Sequence, residues 1–255
     1  MKIGIASVTF RELGIKEILE YAKKAGLDLI EWGSDVHVKP EEKEQAAYVA
    51  LKTGQSGLCV SSYGSYYRLG IYENYEKEFA KYLETAKILG APIIRVWAGT
   101  FGSKEAGDKY FKNIVEETKS ICDMAGNISI AFEFHGGTVC DSKESALRLV
   151  KEVGRVNFGL YFQFDPLVSL EENINTLNAF LPYLKVVHVF NIDKYNNRFS
   201  IGENGGEKIW HSFVRVLNKS EKDINMLFEF LQNPSLESLK KETEILKKII
   251  SSEKN

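Results

Sequence analysis

Four side chains that could bind a metal ion lie in or beside apolar runs in the second half of the sequence. They are Glu133 after ISIAF, Asp165 after FGLYFQF, His188 within KVVHVF and Glu229 after INMLF. A buried charge is costly unless it is paired or coordinates a cation. Two glutamates, one aspartate and one imidazole form a hard, oxygen-rich set that suits Mn²⁺, Mg²⁺, Co²⁺ or Zn²⁺. We therefore expect all four to hold one divalent metal ion.

The elements that would position these residues follow a regular alternation. Short apolar or β-branched runs are each followed by a segment with helical spacing and then by a turn signal, which predicts a parallel sheet. The expected strands are residues 3–8, 27–32, 58–63, 93–98, 128–134, 156–164, 185–190 and 224–230. Eight such units favour a closed (β/α)₈ TIM barrel surrounded by helices, with the four polar residues at the carboxyl ends of its last four strands. A doubly wound open sheet remains the alternative, because periodicity does not prove closure.

The chain length agrees with one barrel. A (β/α)₈ domain typically has about 250 residues, and this sequence has 255. No Pro/Gly/Ser-rich linker or low-complexity tract marks a boundary, so we expect a single domain over residues 1–255.

Local motifs add a family resemblance that spans nearly the whole chain. The stretches FEFHGGT, FQFDP and HVFN resemble motifs of the sugar isomerase/epimerase superfamily of xylose isomerase-like barrels. The stretch IEW at 30–32 and GAPIIRVWAG at 90–99 are similar to that family's second and fourth strands. The resemblance implies that Glu133, Asp165, His188 and Glu229 are the metal ligands. It also implies that Glu133 and Glu229 exchange a proton with substrate.

The activity expected from this site is that of a metal-dependent isomerase or epimerase of a keto-sugar or related polyol. A cation that polarises a carbonyl acidifies the adjacent C–H bond and stabilises an enediolate, while a positioned carboxylate moves the proton. A related dehydratase, a lyase on a keto-inositol-like substrate, is the alternative. A non-catalytic sugar-binding barrel stays open as well.

Four further residues are candidates for substrate binding. His135 lies two residues after Glu133 and should point to the same side of an extended strand. Trp32 and Trp97 could pack on the C–H surface of a sugar, although packing in the barrel core explains them equally. Arg198, in the loop after the seventh strand, could bind an anionic or hydroxyl-rich group, with a solvated loop arginine as the alternative.

Composition limits the remaining classes. The 33 basic and 35 acidic residues leave a net charge of -2 without a basic stripe, so we expect no nucleic-acid partner. Near-neutral charge and only four histidines also argue against a related DNA-repair endonuclease with a multi-metal cluster. No run is long and apolar enough for a membrane span, and no secretory signal is evident. We expect a cytoplasmic enzyme with a small-molecule substrate, and leave open whether it forms a homo-oligomer.

Overall fold

The protein is a closed (β/α)₈ barrel. The computed structural model describes residues 1–254. The barrel strands are β1 (Lys2–Ala6), β2 (Leu29–Gly33), β3 (Cys59–Arg68), β4 (Ile93–Trp97), β5 (Ser129–Glu133), β6 (Phe158–Phe162), β7 (Leu184–Val189) and β10 (Asn225–Phe228). All neighbouring pairs are parallel, and β1 pairs with both β2 and β10. This closure excludes the open-sheet alternative.

Eight helices surround the barrel. They are α1 (Ile15–Lys24), α2 (Lys43–Gln55), α3 (Tyr75–Leu89), α4 (Asp108–Ala125), α5 (Lys143–Val153), α6 (Leu170–Phe180), α7 (Gly206–Leu217) and α8 (Leu236–Ser252). Their apolar stripes face the strands; in α1, for example, Ile15, Ile18, Leu19 and Ala22 are buried. A two-stranded antiparallel hairpin, β8 (Asn191–Ile192) and β9 (Arg198–Phe199), lies in the connection between β7 and α7.

Strand β3 differs most from its expected bounds. It continues to Arg68, which pairs with Trp97 of β4 beyond an irregularity in the register. Within this extension, Tyr66 adopts a left-handed conformation with φ 52°. Such a backbone is uncommon for a bulky aromatic residue. The extension places Tyr66 at the carboxyl end of the barrel, where the βα loops of such folds build their sites.

Side chains inside the barrel form layers, because alternate residues of a strand point to the same face. One layer is apolar and buried, and consists of Leu29, Ile93, Ala131, Tyr161, Val186 and Leu227. Gly4 of β1 lies between two of these strands, where a Cβ atom would come within 2.4 Å of the Leu29 carbonyl oxygen. Only glycine fits there. The barrel interior at this level is therefore fully packed.

Candidate metal centre

Two residues further along each of the six strands that form the apolar layer, the interior becomes polar. The residues at this level, here called the polar layer, are Glu31, Arg95, Glu133, Gln163, His188 and Glu229. Glu133, His188 and Glu229 are buried. Each offers a ligand atom, and these three atoms all lie within 4.8 Å of one another. The structure thus brings together three of the four ligands that we expected from the sequence.

His188 Nδ1 is the centre of this group. It lies 3.2 Å from Glu229 Oε2, 3.7 Å from Glu133 Oε1 and 3.5 Å from Gln163 Oε1. A ring nitrogen carries at most one proton, so it can donate to only one of these oxygens. Hydrogen bonding by His188 therefore cannot account for the convergence of all three.

Arg95 connects the two sides of the polar layer. Its Nε atom lies 3.0 Å from Glu31 Oε1, and its Nη1 atom is hydrogen-bonded to Glu133 Oε2. The other Glu31 oxygen accepts hydrogen bonds from Ser62 (2.8 Å) and Tyr161 (2.9 Å). Both oxygens of Glu31 therefore have hydrogen-bond partners, and one of them holds Arg95. Glu133 is held through one oxygen, and its other oxygen faces His188.

The residues of the polar layer fit a divalent cation. Its three carboxylates and one guanidinium leave two negative charges when His188 is neutral. His188 Nε2 and Glu229 Oε2 are buried polar atoms without a hydrogen-bond partner in the described part of the chain. Uncompensated buried charge and orphaned polar atoms are both costly. A 2+ ion held by Glu133, His188 and Glu229 would compensate the negative charge of the layer and give Glu229 Oε2 a partner.

The charges of the polar layer shift the pKa values of His188 and Glu229. Burial lowers the pKa of His188, but the Glu229, Glu31 and Glu133 carboxylates together raise it above its ordinary range. Burial raises the pKa of Glu229, but the neighbouring imidazolium of His188 lowers it below its usual value. A proton on His188 therefore compensates part of the negative charge of the layer.

Asp165, the fourth expected ligand, is not part of the group. Strand β6 ends at Phe162, so Gln163 occupies the level of the polar layer and Asp165 lies further out on the loop. The Asp165 carboxylate accepts a hydrogen bond from the Leu167 backbone N–H. The backbone N–H of Asp165 donates to the side-chain oxygen of Asn173. Asp165 lines a cavity of about 460 Å³ that also contacts Phe134 and Asn173.

Aromatic side chains cover the polar layer towards solvent. The Tyr66 ring lies over Arg95, 5.5 Å from the guanidinium carbon, and stacks on Trp97. His135 packs against the other side of this cluster, with its ring 4.4 Å from that of Trp97. The structure thus places Trp97 and His135 at the mouth above the candidate metal ligands. Tyr66, which we did not single out in the sequence, closes this mouth.

Trp32 does not lie in the pocket, contrary to its expected role in substrate binding. Its neighbour Glu31 points into the barrel, so alternation directs Trp32 outwards to the helices. The indole is fully buried and donates a hydrogen bond to Thr53 of α2 at 3.2 Å. Packing between sheet and helix explains this residue.

Arg198 lies at the mouth on the side of Glu229. It stands on β9, and its guanidinium carbon is 4.9 Å from the Phe230 ring, one residue after Glu229. With Thr9, Phe10 and Arg11 it lines a cavity of about 400 Å³. Arg68 lies on the opposite side, 4.2 Å from the Trp97 ring. Neither Arg68 nor Arg198 has a carboxylate partner among residues 1–254.

The family assignment rests on this fold together with a sequence match. The family described as the xylose isomerase-like TIM barrel matches residues 19–249. The chain belongs to this family. Among the proteins that this chain resembles, one is named an epimerase and another a dehydratase.

Individual relatives show how varied that family is. The chain is 22% identical over 204 residues to a 3-dehydroshikimate dehydratase of Bacillus anthracis, covering 75% of this chain and 72% of the relative. The solved structure of an L-ribulose 3-epimerase superposes with a TM-score of 0.81 at 12% identity, covering 99% of this chain and 95% of the other. The IOLI protein, solved with a zinc atom, gives a TM-score of 0.72 at 19% identity and 99% coverage of both chains.

No helix within residues 1–254 combines the length and the apolar character that crossing a lipid bilayer requires.

Proposed function

We propose that this protein is a metal-dependent isomerase or epimerase of a keto-sugar or related polyol, which acts by proton transfer through an enediolate intermediate. The observation that supports this most strongly is the buried group of Glu133, His188 and Glu229 at the carboxyl end of the barrel, the end that carries the active sites of (β/α)₈ enzymes. One ion of Mn²⁺, Mg²⁺, Co²⁺ or Zn²⁺ would be held there. When bound, it would polarise the substrate carbonyl and stabilise the enediolate.

The two glutamates have different surroundings and therefore different parts in the reaction. Glu133 has one oxygen hydrogen-bonded to Arg95, which fixes the position of the carboxylate. Glu229 Oε2 has no hydrogen-bond partner within the described chain, so this oxygen could bind the ion while the other oxygen of the carboxylate accepts the substrate proton. If Glu229 removes the proton and Glu133 returns one from another side, the product is an epimer. If one glutamate removes the proton from one carbon and delivers it to the former carbonyl carbon, while the neighbouring hydroxyl proton passes to the former carbonyl oxygen, the carbonyl moves to the next carbon.

The residues at the mouth would bind the rest of the substrate. The Trp97 ring provides an apolar surface for the C–H face of a sugar. His135, packed against it, can exchange a hydrogen bond with a hydroxyl group. Arg198 can bind an anionic or hydroxyl-rich end of the substrate with several donors at once. Tyr66 would have to move before a substrate reaches the polar layer, since its ring covers Arg95.

A dehydratase is the second candidate, and two observations favour it. The curated relative named above is a 3-dehydroshikimate dehydratase, and dehydroshikimate bears a carboxylate. The mouth has two arginines, Arg68 and Arg198, without a carboxylate partner in the described chain. In such a reaction Glu229 would remove the same kind of proton, and the intermediate would expel a β-hydroxyl group as water.

One experiment tests both candidates. The purified protein is incubated in D₂O with each divalent metal and a panel of ketoses, keto-inositols and cyclic hydroxy-keto acids, followed by proton NMR. Deuterium at the carbon beside the carbonyl, with an epimer or isomer as product, supports the first candidate. Loss of water with appearance of a conjugated alkene supports the second. If no compound exchanges a carbon-bound proton with any metal, the proposal of proton-transfer chemistry fails.

A further inference from the structure

Gln163 is the residue of the polar layer for which the proposed reaction gives no role. It is the first residue after β6, two positions beyond the inward-facing Tyr161. Glu229 likewise is the first residue after its strand, β10. By the alternation of the strand, Gln163 occupies the place in the barrel that the sequence pattern assigned to Asp165.

The side chain of Gln163 faces the candidate metal ligands inside the barrel. Its amide oxygen lies 3.5 Å from His188 Nδ1, the atom that also faces Glu133 Oε1 and Glu229 Oε2. This distance is at the limit for a hydrogen bond, and the Glu229 Oε2 atom lies nearer to Nδ1, at 3.2 Å. The amide oxygen is thus one of three oxygens around a single nitrogen. Amide oxygens are ordinary ligands of hard divalent cations.

The charge of the layer gives an independent reason for an amide at this position. With neutral Gln163 and neutral His188, the polar layer carries two negative charges, which one divalent ion compensates. A carboxylate at position 163 would leave one negative charge buried beside the substrate. Since charge uncompensated in the barrel interior is costly, a neutral ligand leaves the layer without excess charge when a 2+ ion is bound.

We propose that Gln163, and not Asp165, supplies the fourth protein ligand of the metal ion, through its side-chain oxygen. This inference rests on the proposed function, because it presupposes that the polar layer binds a metal. It gives a ligand set of two carboxylates, one imidazole and one amide. The site is therefore electrically neutral with a divalent ion bound, and the ion retains more of its power to polarise a carbonyl than it would among three carboxylates.

The test measures metal affinity by calorimetric titration of the metal-free protein with Mn²⁺ and with Zn²⁺ at pH 8. Gln163→Met has a similar shape without the ligand oxygen, and should weaken binding by about tenfold or more. Gln163→Glu has the same size and adds a charge, and should tighten binding. Asp165→Asn is the matched control, and its affinity should stay within about twofold of wild type, since Asp165 lies outside the group.

The results distinguish a failure of Gln163 as the fourth ligand from a failure of the proposed metal-dependent function. If wild type binds metal but Gln163→Met binds equally well, or if Asp165→Asn is the variant that loses affinity, Gln163 is not the ligand while the metal-dependent function stands. If wild type binds neither ion, both proposals fail. Gln163→Glu covers the case in which Gln163→Met does not fold, because unchanged or weaker binding by a folded Gln163→Glu variant contradicts a ligand at this position.

Discussion

Arg95 on β4 is hydrogen-bonded to Glu133 on β5 in the interior of the barrel, where the arginine is 2% and the glutamate 3% exposed. The same guanidinium holds Glu31 on its other side. A candidate metal ligand is thus tied to a buried cation supplied by the protein itself. The position of Glu133 is therefore set before any ion binds, and two negative charges remain in the layer, one of them on Glu229.

Removal of Arg95 should therefore destabilise the fold strongly. In Arg95→Met, both Glu31 and Glu133 lose their cationic partner while they stay buried. Breaking one side of a buried ion pair typically costs about 3–5 kcal/mol. Urea denaturation of the metal-free protein would measure this loss as a decrease in the free energy of unfolding.

Arg148→Met is the matched control for this substitution. Arg148 also stacks on an aromatic ring, that of Phe111 at 3.9 Å, but its side chain is 45% exposed on the outside of the barrel. We expect its loss to cost less than about 1 kcal/mol, as for exposed ion pairs. Equal effects of the two substitutions would show that Arg95 does not carry the interaction described here.

The raised pKa of His188 makes metal binding depend on pH. Because the folded-state pKa lies above the ordinary value of 6.5, protonated His188 stabilises the metal-free protein at low pH, and this contribution is lost as pH rises through the raised value. A metal ion must displace that proton. The increase in Tm caused by saturating Mn²⁺ should therefore be small near pH 6 and grow towards about pH 8.

Differential scanning fluorimetry at a series of pH values would measure this increase. His211→Gln serves as the control, since His211 lies on α7, where it is paired with Glu253 at 2.7 Å, and should leave the pH dependence unchanged. A metal-induced increase in Tm that is the same across this range would contradict competition between the proton and the ion at His188.

Tyr66 should limit access to the polar layer. Its ring covers Arg95, and its hydroxyl accepts a hydrogen bond of 3.0 Å from Arg11. In Tyr66→Ala this cover is removed, so a chelator should extract bound Zn²⁺ faster than from wild type. Stopped-flow chelation with a zinc-sensitive dye measures the rate. Tyr195→Ala, at an exposed loop tyrosine, is the control, and identical rates for both variants would exclude Tyr66 as the cover.

Most of the fold followed from the sequence because it depends on periodicity. All eight expected strands are present in the barrel, and helices such as α3 bury the stripe of Phe79, Leu83, Ala86 and Leu89 that their spacing indicates. The end of a strand is harder to predict, since local composition changes little there. Residues 156–164 were expected as one strand, whereas β6 ends at Phe162.

That boundary explains the difference at Asp165. In FGLYFQFDP, Gln163 and Asp165 are two positions apart, so on a strand both could point into the barrel. The charged residue was the more obvious metal ligand of the two. Only the level of each residue along the barrel axis distinguishes them. Arg95 carried a usable signal, because a charged residue inside IIRVW indicates a buried partner of opposite charge. The covering position of Tyr66 depends on a left-handed backbone that its sequence does not predict.

The last prediction concerns the two glutamates as proton carriers. Glu133→Gln and Glu229→Gln should each lower turnover of the identified substrate by roughly 10²–10⁴, the usual effect of losing a positioned acid or base. Glutamine retains an oxygen that can bind a metal but cannot take up the substrate proton. Excess metal should therefore fail to restore activity, and the measurement is turnover with the bound metal quantified in the same sample.

Glu242→Gln makes the same substitution at a buried glutamate of α8, which accepts a hydrogen bond from the Ile201 backbone. Since Glu242 lies outside the polar layer, this control should retain activity close to wild type. The two site variants should also differ in metal content, because Glu133 must serve both Arg95 and the ion, whereas Glu229 has no other partner in the described chain. We expect Glu133→Gln to need more metal for saturation. A metal-loaded Glu133→Gln, Glu229→Gln double variant that exchanges the substrate proton at the wild-type rate would rule out both glutamates as the groups that move it.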